Sequence, residues 1–405
     1  MECLLVMIEL TQDQQYILNE AVRWYRDDLA PQVFQISGPP GSGKTILIKA
    51  IMDALNINPS RVMPMAYTGC ASLVLRTRGF YNAKTIHSSL YDIIEVPLLD
   101  FNGNPRMDSY FNIPIMKKTF IPKKELDTDL IIIDEGSFVP MNMKEDIERF
   151  GKKIIVAGDL DQLPPVNDNP AYLYNGKVYR LRQIMRQAQN SAIVYLSQLA
   201  INNLPIHVGN YGRDVMVIRD TDLTDEMLRY ACVTLCGKNT TRDYYNTKIR
   251  EIRNQRSATP GYMERVIFRR NDWVNSIDNI NITNGLMGTV MNYPGPIDDR
   301  KGVFRIDFLP DLSNVIFPKL EINYEYFCAD YKTRQRIKEQ PSYRSEAGTF
   351  LEFGYSITTH LSQGSEYPNG VYIEEYLNSE INKNLHYTAI TRFRNHLIYV
   401  KRTKN

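Results

Sequence analysis

From residue 10 onward the chain alternates between helical stripes and short, unbroken apolar runs. Ile17, Leu18, Ala21, Val22, Tyr25 and Leu29 recur on one helical face over residues 10–30. Thr11 is placed to cap that helix, and Gln14, three residues on, to close a capping box. VFQIS (33–37) is a short apolar strand that runs into a glycine-rich turn and then into ILIKAIMDAL, a helical pattern. LIIID (130–134) and KIIVAGD (153–159) are continuous apolar runs ending in acids, as in parallel strands buried on both faces with chemistry at their carboxyl ends. Residues 1–180 therefore read as one complete α/β domain. The opening CLLVMI, six residues with no basic run before it, reads as a first strand or ordered tail and not as a signal peptide.

The pattern breaks at 91–126, a stretch rich in Pro, Asn and aromatics. Asn102–Gly103 there is a hairpin-turn signal between apolar flanks, so a small protruding hairpin is expected. Residues 188–202 read as helix, VTLCG (233–237) as strand and TTRDYYNTKIREIRNQ again as helix. From about 285 to 348 the signals change to strand-like pieces split by Gly, Pro and Asp: GTVMNY, VFRIDFL and NVIFPKLEI. These predict a small β-barrel, 285–348, inserted into a second domain made of 181–284 and 349–405 that resumes at GTFLEFGYSITTH.

Charge alone does not decide the partner. With 48 basic and 46 acidic residues the net charge is +2, less than a protein that coats duplex DNA nonspecifically carries. Any nucleic acid must lie along a local track. The five cysteines are scattered; Cys232 and Cys236 are four apart, but no downstream pair completes a zinc set. No run approaches the ~20 apolar residues of a membrane span.

GPPGSGKT (38–45) fits the phosphate-binding pattern G-x-x-x-x-G-K-[ST] and lies between a strand and a helix, where that mechanism requires it. Gly38, Pro39, Pro40, Gly41, Ser42 and Gly43 form a loop whose N–H groups can wrap a phosphate, with the helix N-terminus adding partial positive charge. Lys44 can then reach the β- and γ-phosphates of ATP, and Thr45 can hold Mg²⁺. At the end of LIIIDEGS, Asp134 is placed to bind Mg²⁺ and Glu135 to orient and deprotonate an attacking water, which favours hydrolysis. In VAGDLDQLPPV (156–166), Gln162 is a candidate for sensing the γ-phosphate, although LPP serves equally as a rigid turn.

The ordered set of motifs resembles superfamily 1 helicases, in the branch of the RecD- and Dda-type enzymes and their Pif relatives. LTQDQ (10–14) is similar to the adenine-reading motif, with Gln14 in the reading position. AYTGCAS (66–72) and KTIHSSL (84–90) resemble the strand-contacting segments of the first domain. LRQIMRQ (181–187) and LHYTAITRFR (385–394) resemble the motifs that offer arginines across the cleft, here Arg186 and Arg392. ITNGLMGTV (282–290) resembles the stretch leading into the inserted barrel, and YSITTHLSQGSEY (355–367) the penultimate motif. Leu361 stands where the family commonly has lysine, Phe393–Arg394 where it has Ala-Lys, and GSF follows the acid pair in place of Ala-Ser-Met.

The resemblance implies two RecA-like P-loop NTPase domains, the first with a hairpin pin and the second with a barrel like the Src-homology-3 fold. It implies an ATP- and Mg²⁺-dependent DNA helicase that moves 5′ to 3′ on single strands and opens forked or tailed duplexes. Lys44, Asp134, Glu135, Gln162, Arg186 and Arg392 would be catalytic, and Gly364 would join Gln14 and the P-loop at the nucleotide. Tyr67, Thr68, Thr85, His87, Thr358, His360 and Gln363 would touch the DNA strand, and Phe101 would serve as the wedge. A monomer in the cytoplasm is expected, of the compact kind found among viral accessory helicases, with replication or single-strand-binding proteins as partners and no membrane. A motor subunit or protein-stripping translocase of a larger complex, and an RNA-directed helicase, remain open alternatives.

Overall fold

The computed structural model describes residues 10–107, 112–165, 168–183, 191–278, 280–295, 297–298, 302–339, 347–377 and 381–402. CLLVMI and Arg186 lie outside these residues, as do Tyr110 and Phe111 of the 91–126 segment.

The first unit is built on a six-stranded parallel sheet, with the spatial order β3 (Lys84–Thr85), β2 (Val62–Ala66), β6 (Leu130–Asp134), β7 (Lys153–Gly158), β1 (Val33–Ser37) and β8 (Val178–Arg180). β6 is buried at every position, which is why its sequence is an unbroken apolar run. Two apolar clusters cover the sheet. Helices α1 (Gln12–Arg26) and α2 (Lys44–Leu55) contribute Ile17, Ala21, Leu47 and Ile51 to one, and Ile131, Ile133, Ile154 and Val156 look into the other. The expected capping box forms: Gln14 N–H donates to Thr11 Oγ1, and Thr11 N–H donates to Gln14 Oε1. Helices α3 (Gly69–Thr77) and α4 (Ile86–Leu90) follow β2 and β3.

Directly after α4, β4 (Tyr91–Pro97) pairs antiparallel with β5 (Met116–Pro122) as a ribbon outside the main sheet. At the tip, Asp100 Oδ1 accepts from the N–H groups of Asn102 and Asn104, and Phe101 stands fully in solvent.

The second unit has its own six-stranded sheet, in the order β19 (Ser356–Thr358), β11 (Thr234–Cys236), β20 (Tyr367–Ile373), β21 (Phe393–Lys401), β10 (Val215–Arg219) and β9 (Gly209–Tyr211). Every pairing in it is parallel except β10 with β9. Helices α5 (Ala192–Ile201), α6 (Asn239–Ile252) and α7 (Asn382–Ile390) pack against it. A third, antiparallel sheet runs β17 (Phe317–Asn323), β16 (Val303–Pro310), β15 (Met287–Val290), β12 (Arg265–Phe268) and β18 (Leu351–Phe353). A bridge between Ile322 and Thr349 brings its β17 edge back toward β18.

Three boundaries differ from those drawn on sequence. The third sheet takes β12, so it starts at Arg265 and not at 285, and a small hairpin, β13 (Asp272–Ile277) with β14 (Ile280–Ile282), belongs to the same stretch. It also takes Leu351–Phe353, expected in the second domain, because β18 pairs with β12. Leu181, expected to open the second domain, packs in the first core, its N–H donating to Ser37 O.

Candidate nucleotide and nucleic-acid site

β1 ends beside β7, and the P-loop leaves that edge with Gly38 N–H donating to Gly158 O. The loop enters α2 through Gly43, so Lys44 and Thr45 occupy the first helical turn. Lys44 Nζ donates to the carbonyls of Gly38 (2.6 Å) and Pro39 (3.2 Å). Pro40, Gly41, Ser42, Gly43, Lys44 and Thr45 line a cavity of about 390 Å³, shared with Asp134, Glu135 and Gln162 of the first unit and Glu366, Thr391 and Arg392 of the second. Six candidates for the phosphate chemistry, from four separate segments, are therefore gathered in one cleft: Lys44, Thr45, Asp134, Glu135, Gln162 and Arg392. Its walls come from both halves of the chain.

The electrostatics of the cleft are tightly balanced. Burial is the main force pushing the Asp134 carboxyl above the usual range, and the neighbouring Glu135 charge adds to it; Arg78 and Lys44 pull the other way. Asp134 Oδ1 accepts the Glu135 N–H at 3.0 Å. Glu135 has the left-handed backbone (φ 53°), a conformation that costs a non-glycine residue about 1 kcal/mol or more and that clusters at functional sites. One of its carboxylate oxygens is buried without a hydrogen-bond partner, and so is Gln162 Oε1. Arg392 is 3% exposed; its guanidinium donates to Thr388 O, Ser365 O and Thr391 Oγ1, which hold it against the cavity.

Sequence reasoning missed a further cationic group in the cleft. Arg78, at the C-terminal end of α3, donates to Thr45 Oγ1 (3.2 Å) and pairs with Glu366 (2.6 Å). Glu366 also pairs with Arg394. No local pattern marks Arg78, because its partners Thr45 and Glu366 lie 33 and 288 residues away.

Two residues expected at the nucleotide do not line this cavity. Gln14 is fully buried beneath the P-loop, where Nε2 donates to Ser42 O and Oε1 closes the capping box; it braces the loop and does not line the cavity. Gly364 is outside the cavity too. It sits against Thr68 and Ala71, on the seam between the two units.

Of the expected strand-contacting residues, Thr68 lies on that seam, and several of the set have their polar atoms already engaged. Thr68 Oγ1 caps α3 by accepting from Ala71 N–H, and Thr85 Oγ1 caps α4 by accepting from Ser88 N–H. Gln363 turns inward, Nε2 donating to Leu163 O at 3.1 Å. Thr358 is buried at the end of β19, while His360, two residues on, is half-buried. Burial pushes both His87 and His360 below the usual histidine range, so both are neutral at pH 7. Tyr67, His87, Tyr91 and Phe120 form an aromatic cluster at the foot of the β4–β5 ribbon, with His87 stacked on Tyr91 at 5.8 Å.

Comparison with known proteins agrees with this geometry. The AAA domain family matches residues 19–168. An uncharacterized protein of Methanocaldococcus jannaschii is 24% identical over 90% of this chain and 36% of its own length. The ATP-dependent DNA helicase PIF1 of Trypanosoma brucei brucei is 25% identical over 49% of this chain and 20% of its own length. The chain thus spans little more than a third of the first relative and a fifth of the second. Among solved structures, one of Pif1 helicases described as unwinding forked double-stranded DNA covers 97% of this chain and 92% of its own, at 18% identity and a TM-score of 0.57. Bacteroides Pif1 in complex with ADP-AlF3 and single-stranded DNA covers the same shares at 17% identity and a TM-score of 0.54. The chain thus carries a segment that matches the AAA domain family, and its two RecA-like units have the fold of the solved Pif1 helicases.

Proposed function

We propose that this chain is an ATP-dependent DNA helicase that translocates on single-stranded DNA from 5′ to 3′ and separates forked or tailed duplexes. The observation that carries the reading is the shared cavity, with Lys44 and the Asp134–Glu135 pair on one wall and Arg392 on the other. A site divided in this way works only when the two units meet, so hydrolysis and relative motion are linked.

In this reading the P-loop N–H groups and Lys44 hold the β- and γ-phosphates. Glu135 orients the attacking water and takes its proton, and Gln162 contacts the γ-phosphate. Arg392, and Arg186 outside the described residues, neutralise charge that develops on the transferring phosphoryl group. The residues present suit Mg²⁺: Thr45 Oγ1 and the Asp134 carboxylate are hard oxygen donors lining one cavity, and a buried Glu135 oxygen beside them has no hydrogen-bond partner. Held there, Mg²⁺ would supply neutralisation of the phosphate charge. On the DNA side, Tyr67, Thr68, Thr85, His87, Thr358 and His360 are the strand-contacting residues of this reading, and contacts to phosphate oxygens hold a strand without reading its sequence. The β4–β5 ribbon presents Phe101 as a stacking wedge.

Strand separation on duplexes with a 5′ or a 3′ tail, with Lys44→Ala as control, tests the reading. Unwinding of the 5′-tailed substrate alone, lost in the variant, is expected. Strand-stimulated ATPase that survives Lys44→Ala would refute the site. Faster turnover on RNA than on DNA would reassign the substrate.

A further inference from the structure

Gln162 lies on a loop of the first unit that is fastened to the second unit by side-chain hydrogen bonds. Tyr387 Oη, on α7, donates to Asp159 Oδ2 at 2.8 Å. Asn384 Nδ2, from the same helix, donates to Asp161 O (2.9 Å), and Leu163 N–H donates to Thr388 Oγ1 (2.9 Å). Gln363 adds a bond from the other side, Nε2 to Leu163 O. The Asp159–Tyr387 bond is the buried centre of this set, with Asp159 2% exposed and Tyr387 fully enclosed. Asp159 Oδ2 also accepts from Gln162 Nε2, at 3.4 Å. One carboxylate oxygen therefore touches both the cavity glutamine and the second unit.

The other end of α7 closes the arrangement. The helix ends at Ile390, and the next two residues, Thr391 and Arg392, line the same cavity as Gln162. The loop carrying Gln162 and the helix delivering Arg392 are thus bolted together across the cleft. A change in the rotamer of Gln162 must pass through Asp159 to Tyr387, and movement of α7 must pass the other way. Fully buried polar contacts of this kind have sharply defined geometry, because breaking one leaves its partner unsatisfied.

We propose that Tyr387 is a positioning residue: acting through Asp159, it sets Gln162 against the cavity and so makes the placement of Arg392 depend on what Gln162 contacts. The proposal rests on the helicase reading above and adds to it a route by which a bound terminal phosphate is reported to the second unit.

Tyr387→Phe removes the hydroxyl and keeps the ring. In the full chain, DNA-stimulated kcat should fall about tenfold, equivalent to one buried hydrogen bond, while the KM for ATP stays within about twofold because the P-loop is untouched. Hydrogen exchange should quicken at 159–163 and stay unchanged in β7. Asp159→Asn should match it, and the double variant should be no worse than either single one, since both break a single link. Unchanged kcat, additive losses, or a fall in kcat with no local change in exchange would each overturn the proposal. If the unaltered chain does not hydrolyse ATP, the helicase reading fails by itself; the latch is then judged by exchange alone, faster exchange supporting it and unchanged exchange overturning it.

Discussion

Gly364→Ala probes the seam between the two units at its tightest point. Gly364 has φ +76°, and a Cβ built there would lie 2.7 Å from Ala71 Cβ and 3.1 Å from Thr68 Oγ1. The left-handed backbone costs an alanine about 1–2 kcal/mol. Carbon–carbon contact is optimal near 3.5 Å, so Ala71 and residue 364 must separate by about 0.8 Å. They belong to different units, so the easiest relief is to open the seam. That withdraws Arg392, 28 positions further along the same unit, from the phosphate wall. A misplacement of about 1 Å in a reacting site lowers turnover by as much as 10²-fold. DNA-stimulated kcat should therefore drop by about 10- to 100-fold, measured by a coupled ATPase assay with and without oligonucleotide. Affinity for a fluorescent nucleotide should change by less than about threefold, and the melting temperature by no more than about 4 °C. A variant that turns over within twofold of the parent would show that the seam need not close, and the argument from geometry would fail.

Further outcomes follow from other contacts. Arg392→Ala should lower kcat by about 10³-fold or more with little effect on nucleotide affinity, measured by turnover and equilibrium binding; a selective loss of binding instead would assign the residue to ground-state grip. Phe101→Ala should leave melting and single-strand-stimulated ATPase unchanged, because the side chain touches only solvent, yet slow unwinding of a forked duplex; equal unwinding would remove it as the wedge. His386 is 8% exposed, in contact with the Tyr372 hydroxyl at 2.7 Å, and burial lowers its pKa to about 4. A histidine depressed in the native state supports folding fully above its unfolded pKa of about 6.5, and that support is lost as the pH falls toward 4. The span amounts to about 3 kcal/mol. Urea midpoints at pH 7 and pH 5 should therefore converge more closely in His386→Gln than in the parent; parallel shifts would contradict the assignment.

The parts of the chain legible in the sequence are those where neighbours along the chain decide the structure. The Thr11–Gln14 box, the glycine-rich turn between β1 and α2, the acid pair at the end of β6 and the Asn102–Gly103 turn all depend on residues within a few positions of one another. The barrel limits depend on distant pairing. Arg265–Phe268 is a short apolar run that suits either sheet, and only its partners, β15 and β18, decide. GTFLEFGYSITTH reads as one resumed domain, yet the chain passes from the third sheet to the second at Gly354, where a Cβ would come within 2.9 Å of the Val266 backbone. The Arg78–Glu366 pair and the seam at Gly364 are likewise properties of the closed tertiary structure. The family resemblance pointed Gly364 and Gln14 toward the nucleotide; their packing, one at the seam and the other under the P-loop, depends on distant partners.

The apolar cluster inside the third sheet is not self-contained. Leu73 of α3, from the first unit, is 5% exposed and fills it alongside Phe268, Leu286 and Phe304, with Cys70 packed at its edge. A fragment beginning after the first unit would carry an unfilled greasy socket, and the first unit alone would display the matching plug. The two units are therefore poor candidates for separate expression. Any opening between the two units has to pivot about that plug, because pulling Leu73 free would wet apolar surface.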